Sequence, residues 1–322
     1  GVVTPLGCEL EPVWEQVLQG TSGVTAPIRH AQDEPPTRAV GEMKPDDLAR
    51  LRAEHPEAAA PGEMRTLLGA AAGTLAVRDA GLDDGPYPRG GAVIGSGPGV
   101  HRLEDYDRWL DADGGLDTAR MGRELEHVHP ESLMRNAAEQ PAAILAAKHG
   151  LGGPVHAVTT ACSAANHALG LAYRSVRRGE ADWIVSGGTD GMINPMGLVF
   201  FVLLGAGASV DDDPSVACKP FDRKRSGLVL GEGAGAAVFE ELEHARARGA
   251  HIYAEVVGYG ASMDAHRTTA PWRDGRGAAA AMAAALHDAG LDPDDVDYVC
   301  AHGTGTKRND PAEVAGIRTV FG

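Results

Sequence analysis

The chain has 322 residues, enough for one large or two ordinary domains, and its apolar fraction (43%) and charged fraction (23%) are ordinary for a globular protein. The formal net charge of −16 disfavours nucleic-acid binding, which needs a basic face, and disfavours attachment to an anionic membrane. The sequence contains no run of about 18 apolar residues, so no transmembrane helix is predicted. Its four cysteines include no C-x-x-C pair, which predicts a reducing, cytoplasmic location without a disulfide framework or a Cys-rich metal site.

Apolar runs of strand length alternate with helical patterns along the chain. The predicted helices are residues 9–19, 64–80, 133–149, 164–178, 277–289 and 311–320. The predicted strands, all expected to be buried, are residues 91–95, 155–159, 183–187, 234–239, 252–259 and 298–301. This alternation predicts an α/β fold in which helices cover both faces of a mostly parallel or mixed sheet.

A charged and irregular stretch, residues 98–131, interrupts this pattern. We expect a surface excursion with one short helix around residues 103–110. Long irregular segments are most often solvated insertions, and this is the interpretation we favour for residues 98–131. A lid or a segment that contacts a partner is the alternative.

Cys162 is the most informative residue of the sequence. It lies between a β-prone stretch that ends at Ala161 and a helical stretch that begins at Ser163. Unpaired backbone N–H groups and the helix dipole at such a turn stabilise a thiolate, which is the nucleophilic form of cysteine. An isolated cysteine among apolar residues is more often an inert core residue, and we assign that role to Cys8, Cys218 and Cys300.

A second signal is the run Ala301-His-Gly-Thr-Gly-Thr306 at the end of a predicted strand. His302 can face a pocket there and donate a hydrogen bond to an oxyanion or move a proton, although a structural histidine is the commoner case. The alternation of Thr304 and Thr306 predicts that both hydroxyls point into one cleft, with local turn hydrogen bonding as the alternative.

The residues that follow this loop predict the start of a helix. Asp310 fits the N-cap position, Pro311 the N1 position and Glu313 the N3 position of a capping box. A third signal, the glycine-rich segment from Lys219 to Gly235, lacks the spacing of a phosphate-binding loop. Its glycines predict a tight passage between strands.

Together these segments resemble the elongating β-ketoacyl-acyl carrier protein synthases, the ketosynthases of type II fatty acid and polyketide synthesis within the thiolase-like superfamily. The resemblance covers essentially the whole chain. It rests on motifs that occur in one order: Thr160-Ala-Cys-Ser163, Gly187-Gly-Thr-Asp190, Pro220-Phe-Asp-Arg223, Gly227 to Gly235, residues 252–263 and Ala301-His-Gly-Thr-Gly-Thr306.

The resemblance implies a five-layer αβαβα thiolase-like fold with duplicated halves. The halves would be residues 1–249, which carry the nucleophile, and residues 250–322, the beginning of a C-terminal half that is incomplete in this chain. The family's second catalytic histidine, its active-site lysine and its gating phenylalanine have no counterpart in the printed sequence.

The resemblance also implies a reaction, a decarboxylative Claisen condensation without metal or redox cofactor. Cys162 would accept the acyl chain, and His302 would assist decarboxylation of the malonyl unit. The substrate-binding prediction comprises Thr304, Thr306 and Thr269, and the supporting charges are Asp310 and Glu313, the latter through an active-site lysine.

The implied partners are an acyl carrier protein and either a second copy of the chain or a chain-length factor. Arg65, Arg223 and Arg267 are the candidates for the basic surface that would meet the acidic carrier. Two alternatives remain: a CoA-dependent thiolase, which the His-Gly-Thr-Gly-Thr loop disfavours, and a non-catalytic subunit resembling a chain-length factor, which the presence of Cys162 disfavours.

Overall fold

The computed structural model describes residues 1–29, 37–97, 99, 103–128, 134–209, 213–267 and 269–322. These residues form two compact units. The first falls within residues 1–18, 43–197 and 232–241, and the second within residues 19–42, 198–231 and 242–322. The domain boundary expected between residues 249 and 250 stays a prediction.

The regular elements follow the alternation of the sequence. The strands are β1 (Val2–Val3), β2 (Val40–Gly41), β3 (Gly90–Ser96), β4 (Val155–Val158), β5 (Trp183–Asp190), β6 (Leu230–Gly231) and β7 (Gly233–Glu240). The helices are α1 (Leu10–Leu18), α2 (Pro45–Glu54), α3 (Pro56–Ala59), α4 (Met64–Asp79), α5 (Thr118–Arg123), α6 (Gln140–His149), α7 (Ala164–Arg177), α8 (Pro195–Leu203), α9 (Leu242–Ala247), α10 (Arg276–Ala289) and α11 (Asn309–Phe321).

The first unit is built on a five-stranded mixed sheet in the order β1-β7-β5-β3-β4. Strands β3, β4 and β5 are parallel to one another, and β7 pairs antiparallel with β5 and β1. Successive side chains of a strand point to opposite faces. Ala92 and Ile94 therefore pack with residues of α4 and α6, and Val93 packs with residues of α7. This arrangement confirms the predicted mixed sheet with helices on both faces.

Apolar burial explains why α4 is the central helix of the first unit. Most of its residues are small or aliphatic, and most are buried, including both Leu67 and Leu68 on adjacent helical positions. The side chain of Glu63 caps the helix by accepting from the backbone N–H groups of Arg65 and Thr66. Such a cap contributes about 1 kcal/mol.

The second unit contains the parallel pair β2–β6 and the packed helices α10 and α11. Residues 252–259 and 298–301 lie in this unit outside regular secondary structure, so the prediction of buried strands there was wrong. The apolar runs supply strand propensity, but a strand also needs a hydrogen-bonded neighbour, and no sheet among the described residues includes these runs. Tyr253 and Tyr298 are accordingly exposed.

Three other predictions needed correction. The helix expected from residue 133 begins at Gln140, with Pro141 in the first turn, where its missing N–H costs nothing; residue 133 itself lies outside the described residues. Two short 3₁₀ turns, Leu103–Asp105 and Asp107–Trp109, replace the single helix expected around residues 103–110. Strand β4 is partly exposed rather than buried because it lies at the edge of the sheet.

In the part of the chain that the structure describes, no helix combines the length and the hydropathy needed to cross a membrane.

Candidate active site

Cys162 lies in the turn that joins the carboxyl end of β4 to α7. The turn is closed by hydrogen bonds from Ser163 N to Thr160 O (3.2 Å) and from Ala164 N to Ala161 O (3.0 Å), and Ser163 Oγ also donates to Thr160 O (2.8 Å). The thiol is exposed. The structure thus places Cys162 at the strand-to-helix turn that the sequence predicted, two residues before α7 begins.

Ala161, the residue before Cys162, has a left-handed backbone conformation with φ of 51°. Such a conformation costs a residue other than glycine roughly 1–3 kcal/mol, and it persists where the surrounding structure enforces it. Strain of this kind concentrates at functional sites because it aims a side chain where an ordinary turn would not. No feature of the sequence identified Ala161.

Two glycines of the sheet allow the first turn of α7 to pack closely against strands β3 and β5. A Cβ atom on Gly95 of β3 would lie 2.4 Å from the carbonyl carbon of Ala164, and one on Gly188 of β5 would lie 2.5 Å from Cβ of Ala165. Any side chain at these positions would push the first turn of α7 away from the sheet. The glycines therefore fix the position of the turn that carries Cys162.

The other predicted site residues lie in the second unit, most of them in the loop 301–306 and the start of α11. The Glu313 carboxylate accepts hydrogen bonds from the backbone N–H groups of His302 and Gly303 (2.9 Å for Gly303). The carboxylate therefore fixes the backbone that carries the exposed imidazole of His302.

Asp310 is a buried anchor, with 2% of its surface exposed. One carboxylate oxygen accepts from the backbone N–H of Gly305 (3.1 Å), the other accepts from that of Phe221 (2.8 Å), and the guanidinium of Arg225 lies 3.6 Å away. Arg225 also donates to the carbonyl of Thr306 (3.2 Å). Asp310 therefore ties the segment after Lys219 to the loop that carries His302.

The predicted capping box was wrong. Helix α11 begins at Asn309 after Arg308, so Asp310 lies inside the first turn instead of at the N-cap, and Glu313 lies beyond the N3 position. Both carboxylates accept hydrogen bonds from backbone N–H groups of the loop 301–306 instead of from the N–H groups at the start of the helix. Sequence spacing cannot distinguish these two sets of donors.

The structure brings the hydroxyls of Thr304 and Thr306 together, 3.0 Å apart. Gly303 and Gly305 have positive φ (52° and 71°), which produces the tight alternation that puts both threonines on one side. Thr269 is exposed in a loop of the same unit.

Of the remaining cysteines only Cys8 is buried; Cys218 and Cys300 are exposed, so their assignment as core residues was wrong. Burial raises the pKa of the Cys8 thiol, with the Asp47 carboxylate adding to the effect. Although Cys218 is exposed, partial desolvation of its thiol, and then the charge of Asp310, raises its pKa. Both thiols are therefore poorer sources of thiolate than an ordinary cysteine.

Arg65 does not belong to a docking surface, contrary to the sequence-based suggestion, because only 2% of its surface is exposed. Its guanidinium is held inside the first unit by Glu63 and by backbone carbonyls. Arg223 and Arg267 are exposed.

Solved ketosynthase structures share this fold. A type II polyketide ketosynthase in complex with its acyl-carrier protein and a hexaketide aligns with 100% of this chain and 76% of its own, at 29% identity and a TM-score of 0.83. The ishigamide ketosynthase/chain length factor aligns with 100% of this chain and 76% of its own, at 32% identity and a TM-score of 0.80. The fold is therefore that of the thiolase-like ketosynthases.

Sequence comparison identifies the family. The profile of the β-ketoacyl synthase N-terminal domain matches residues 1–245, and that of the C-terminal domain matches residues 253–322. A 3-oxoacyl-[acyl-carrier-protein] synthase 2 of Vibrio cholerae is 37% identical over 324 residues, which are 100% of this chain and 76% of the relative; one of Staphylococcus aureus is 37% identical over 327 residues, 75% of that relative. The chain belongs to the β-ketoacyl synthase family.

Proposed function

We propose that the protein condenses an acyl group held on Cys162 with malonyl-acyl carrier protein to give β-ketoacyl-acyl carrier protein, in fatty acid or type II polyketide synthesis. The observation that carries the proposal is the exposed thiol of Cys162 beside the strained Ala161 at the amino end of α7. The names of the relatives and structural neighbours support the reaction class.

In the first half-reaction the Cys162 thiolate attacks the thioester carbonyl of the acyl carrier. A new C–S bond forms, and the carrier thiol leaves. Backbone N–H groups at the start of α7 are suited to stabilise the oxyanion of the intermediate, with that of Cys162 itself as one donor.

In the second half-reaction malonyl-acyl carrier protein loses CO₂, and the electron pair of the broken C–C bond forms an enolate. The enolate carbon attacks the Cys162 thioester, the β-keto product forms on the carrier, and the thiolate is regenerated. The imidazole of His302 would donate a hydrogen bond to the enolate oxygen. The hydrogen bond from the backbone N–H of His302 to the Glu313 carboxylate supports this role, because catalysis by hydrogen bonding needs a donor in a fixed position.

Thr304, Thr306 and Thr269 are proposed to bind the phosphopantetheine arm, and the exposed Arg223 and Arg267 to contact the acidic carrier protein. The reaction as written needs no metal and no redox cofactor. We also propose a cytoplasmic location and a dimer, formed either by two copies or with a chain-length factor, as in the ishigamide complex.

Replacement of Cys162 tests the proposal. In the full-length protein Cys162→Gln should abolish acyl transfer and chain extension, because no thiolate remains, and still decarboxylate malonyl-acyl carrier protein. The two activities are read separately, as radiolabelled protein and as released CO₂. Cys218→Ala is the matched control and should retain both. Wild-type chain extension by Cys162→Gln would exclude the nucleophile role.

A further inference from the structure

Phe221 occupies a turn position that ordinarily favours glycine. The chain turns over residues 219–222, where the backbone N–H of Asp222 donates to the carbonyl of Lys219 (3.2 Å). Pro220 is the second residue of this turn, and Phe221, the third, has a positive φ of 63°. A phenylalanine is strained in that conformation, which glycine adopts freely. Backbone strain that a native structure maintains indicates a use for the side chain that glycine could not supply.

The buried carboxylate of Asp310 joins this turn to the loop 301–306. One carboxylate oxygen accepts from the backbone N–H of Phe221 (2.8 Å), and the other accepts from the backbone N–H of Gly305 (3.1 Å). Both hydrogen bonds involve the backbone, so they do not depend on the Phe221 ring. The turn therefore remains attached to the loop when the side chain at position 221 changes, and the contribution of the ring can be tested on its own.

The ring of Phe221 lies against Gly303, the residue after His302. A Cβ atom built on Gly303 would lie 3.2 Å from Cε2 and 3.7 Å from Cζ of the ring, so the ring occupies the side of Gly303 where a side chain would point. Gly303 itself has a positive φ of 52°. The Glu313 carboxylate fixes the backbone N–H groups of His302 and Gly303, and the ring limits the other movements that a glycine permits.

Burial of apolar surface does not account for this ring. Phe221 is 44% exposed, whereas a phenylalanine of a hydrophobic core loses nearly all of its contact with water. The backbone hydrogen bond to Asp310 would hold a glycine equally well and without strain. The contact with the Gly303 backbone is what the ring adds to this turn.

We propose that Phe221 is a positioning residue for His302: by filling the space beside Gly303 it restricts the loop to the conformation in which the imidazole donates to the enolate oxygen. The inference rests on the proposed function, since it presumes that His302 acts in the decarboxylation of malonyl-acyl carrier protein. Displacement of a catalytic donor by about 1 Å is enough to slow a reaction severely. Removal of the ring should therefore slow decarboxylation without weakening substrate binding.

The test replaces Phe221 by glycine, which adopts the positive φ without strain and keeps the backbone bond to Asp310. Decarboxylation is measured as CO₂ released from malonyl-acyl carrier protein by the full-length Cys162→Gln protein, in which no condensation consumes the malonyl unit. Addition of Phe221→Gly should lower kcat at least about tenfold and change KM less than about twofold. Acylation of Cys162 by hexanoyl-acyl carrier protein, followed by intact mass in the protein that retains Cys162, should stay within about twofold of the wild type.

Two further substitutions at the same position separate the ring from the fold. Phe221→Tyr keeps the ring and should retain kcat within about threefold of the parent. Phe221→Leu keeps apolar bulk but lacks the ring edge, so it should lower kcat, and it decides the matter if Phe221→Gly does not fold. Tyr253→Ala is the matched control, because it removes an exposed aromatic ring of the same unit that packs on His251 instead. It should leave kcat unchanged.

An unchanged kcat without the ring overturns the role of Phe221 and leaves the proposed function standing. A raised KM at constant kcat also overturns it, because the ring would then be a binding surface. An equal loss of acylation and decarboxylation does so as well, because the ring would then only support the fold. If the Cys162→Gln parent releases no CO₂, or releases it equally fast with His302→Ala, the proposed function fails and the role of Phe221 fails with it.

Discussion

The side-chain carboxylates of Asp310 and Glu313, both on helix α11, fix the loop 301–306 through hydrogen bonds to its backbone. The buried Asp310 accepts from the backbone N–H groups of Phe221 and Gly305, and Glu313 accepts from those of His302 and Gly303. The sequence indicated that both residues support the site, but it assigned them to a capping box. The bonds to the loop depend on a tertiary approach that spacing along one helix does not encode.

Loss of the Asp310 carboxylate should destabilise the second unit. Asp310→Ala leaves the buried N–H of Gly305 and the part-buried N–H of Phe221 without their acceptor and removes the carboxylate beside Arg225, which should cost about 3 kcal/mol. Chemical denaturation measures the free energy of unfolding. The exposed Asp294 is a matched control, and Asp294→Ala should change it by less than about 0.5 kcal/mol. Equal effects of the two substitutions would show that Asp310 is not an anchor.

At the scale of elements, the contact between α7 and the sheet positions the nucleophile. The predicted strands over residues 91–95 and 183–187 were confirmed because their apolar runs are continuous and flanked by turn residues. The predicted strands over 252–259 and 298–301 had equally apolar sequences and were wrong. The local pattern of apolar residues indicates how readily the backbone adopts an extended conformation. Whether an extended segment joins a sheet depends on neighbouring strands that are distant in sequence.

Addition of one methyl group should disturb the contact between α7 and the sheet. In Gly95→Ala the new Cβ would lie 2.4 Å from the carbonyl carbon of Ala164, so α7 must shift. We expect a loss of about 1–3 kcal/mol in stability and slower acylation of Cys162, measured by denaturation and by intact mass.

Gly122→Ala in α5 is the matched control for Gly95→Ala, because no heavy atom lies within 4 Å of its Cβ position. It should be neutral or slightly stabilising through helix propensity. Wild-type acylation by Gly95→Ala would mean that the close approach of α7 does not position the thiol.

At the scale of the whole molecule, two buried histidines couple the first unit to pH. Burial, and then the charge of Lys148, lowers the pKa of His55; burial is also the first cause of the lowered pKa of His149. Both are therefore neutral in the folded protein at a pH where the unfolded chain already binds protons. The sequence contains thirteen histidines, and composition alone does not indicate which of them are buried with a lowered pKa.

Stability should fall as the solution is acidified below the ordinary histidine pKa of about 6.5. The free energy of unfolding rises with pH wherever the unfolded state binds more protons, so the contribution is complete above that pKa and is lost as the pH falls towards the lowered folded values. Urea denaturation at pH 7.5 and 5.5 measures the change. His149→Gln should flatten the dependence, whereas the exposed His127→Gln should not; equal slopes in all three proteins would contradict the assignment.

The central claim is that Cys162, among four cysteines, forms the acyl-enzyme. Its strand-to-helix position could be predicted because a β-prone run and a helical run meet there, but the strained Ala161 and the glycine contacts became visible only in the fold. The most direct test is peptide mapping of the full-length protein after incubation with an acyl-carrier thioester. The account predicts a single acyl adduct on Cys162. An adduct on Cys8, Cys218 or Cys300 instead would contradict it.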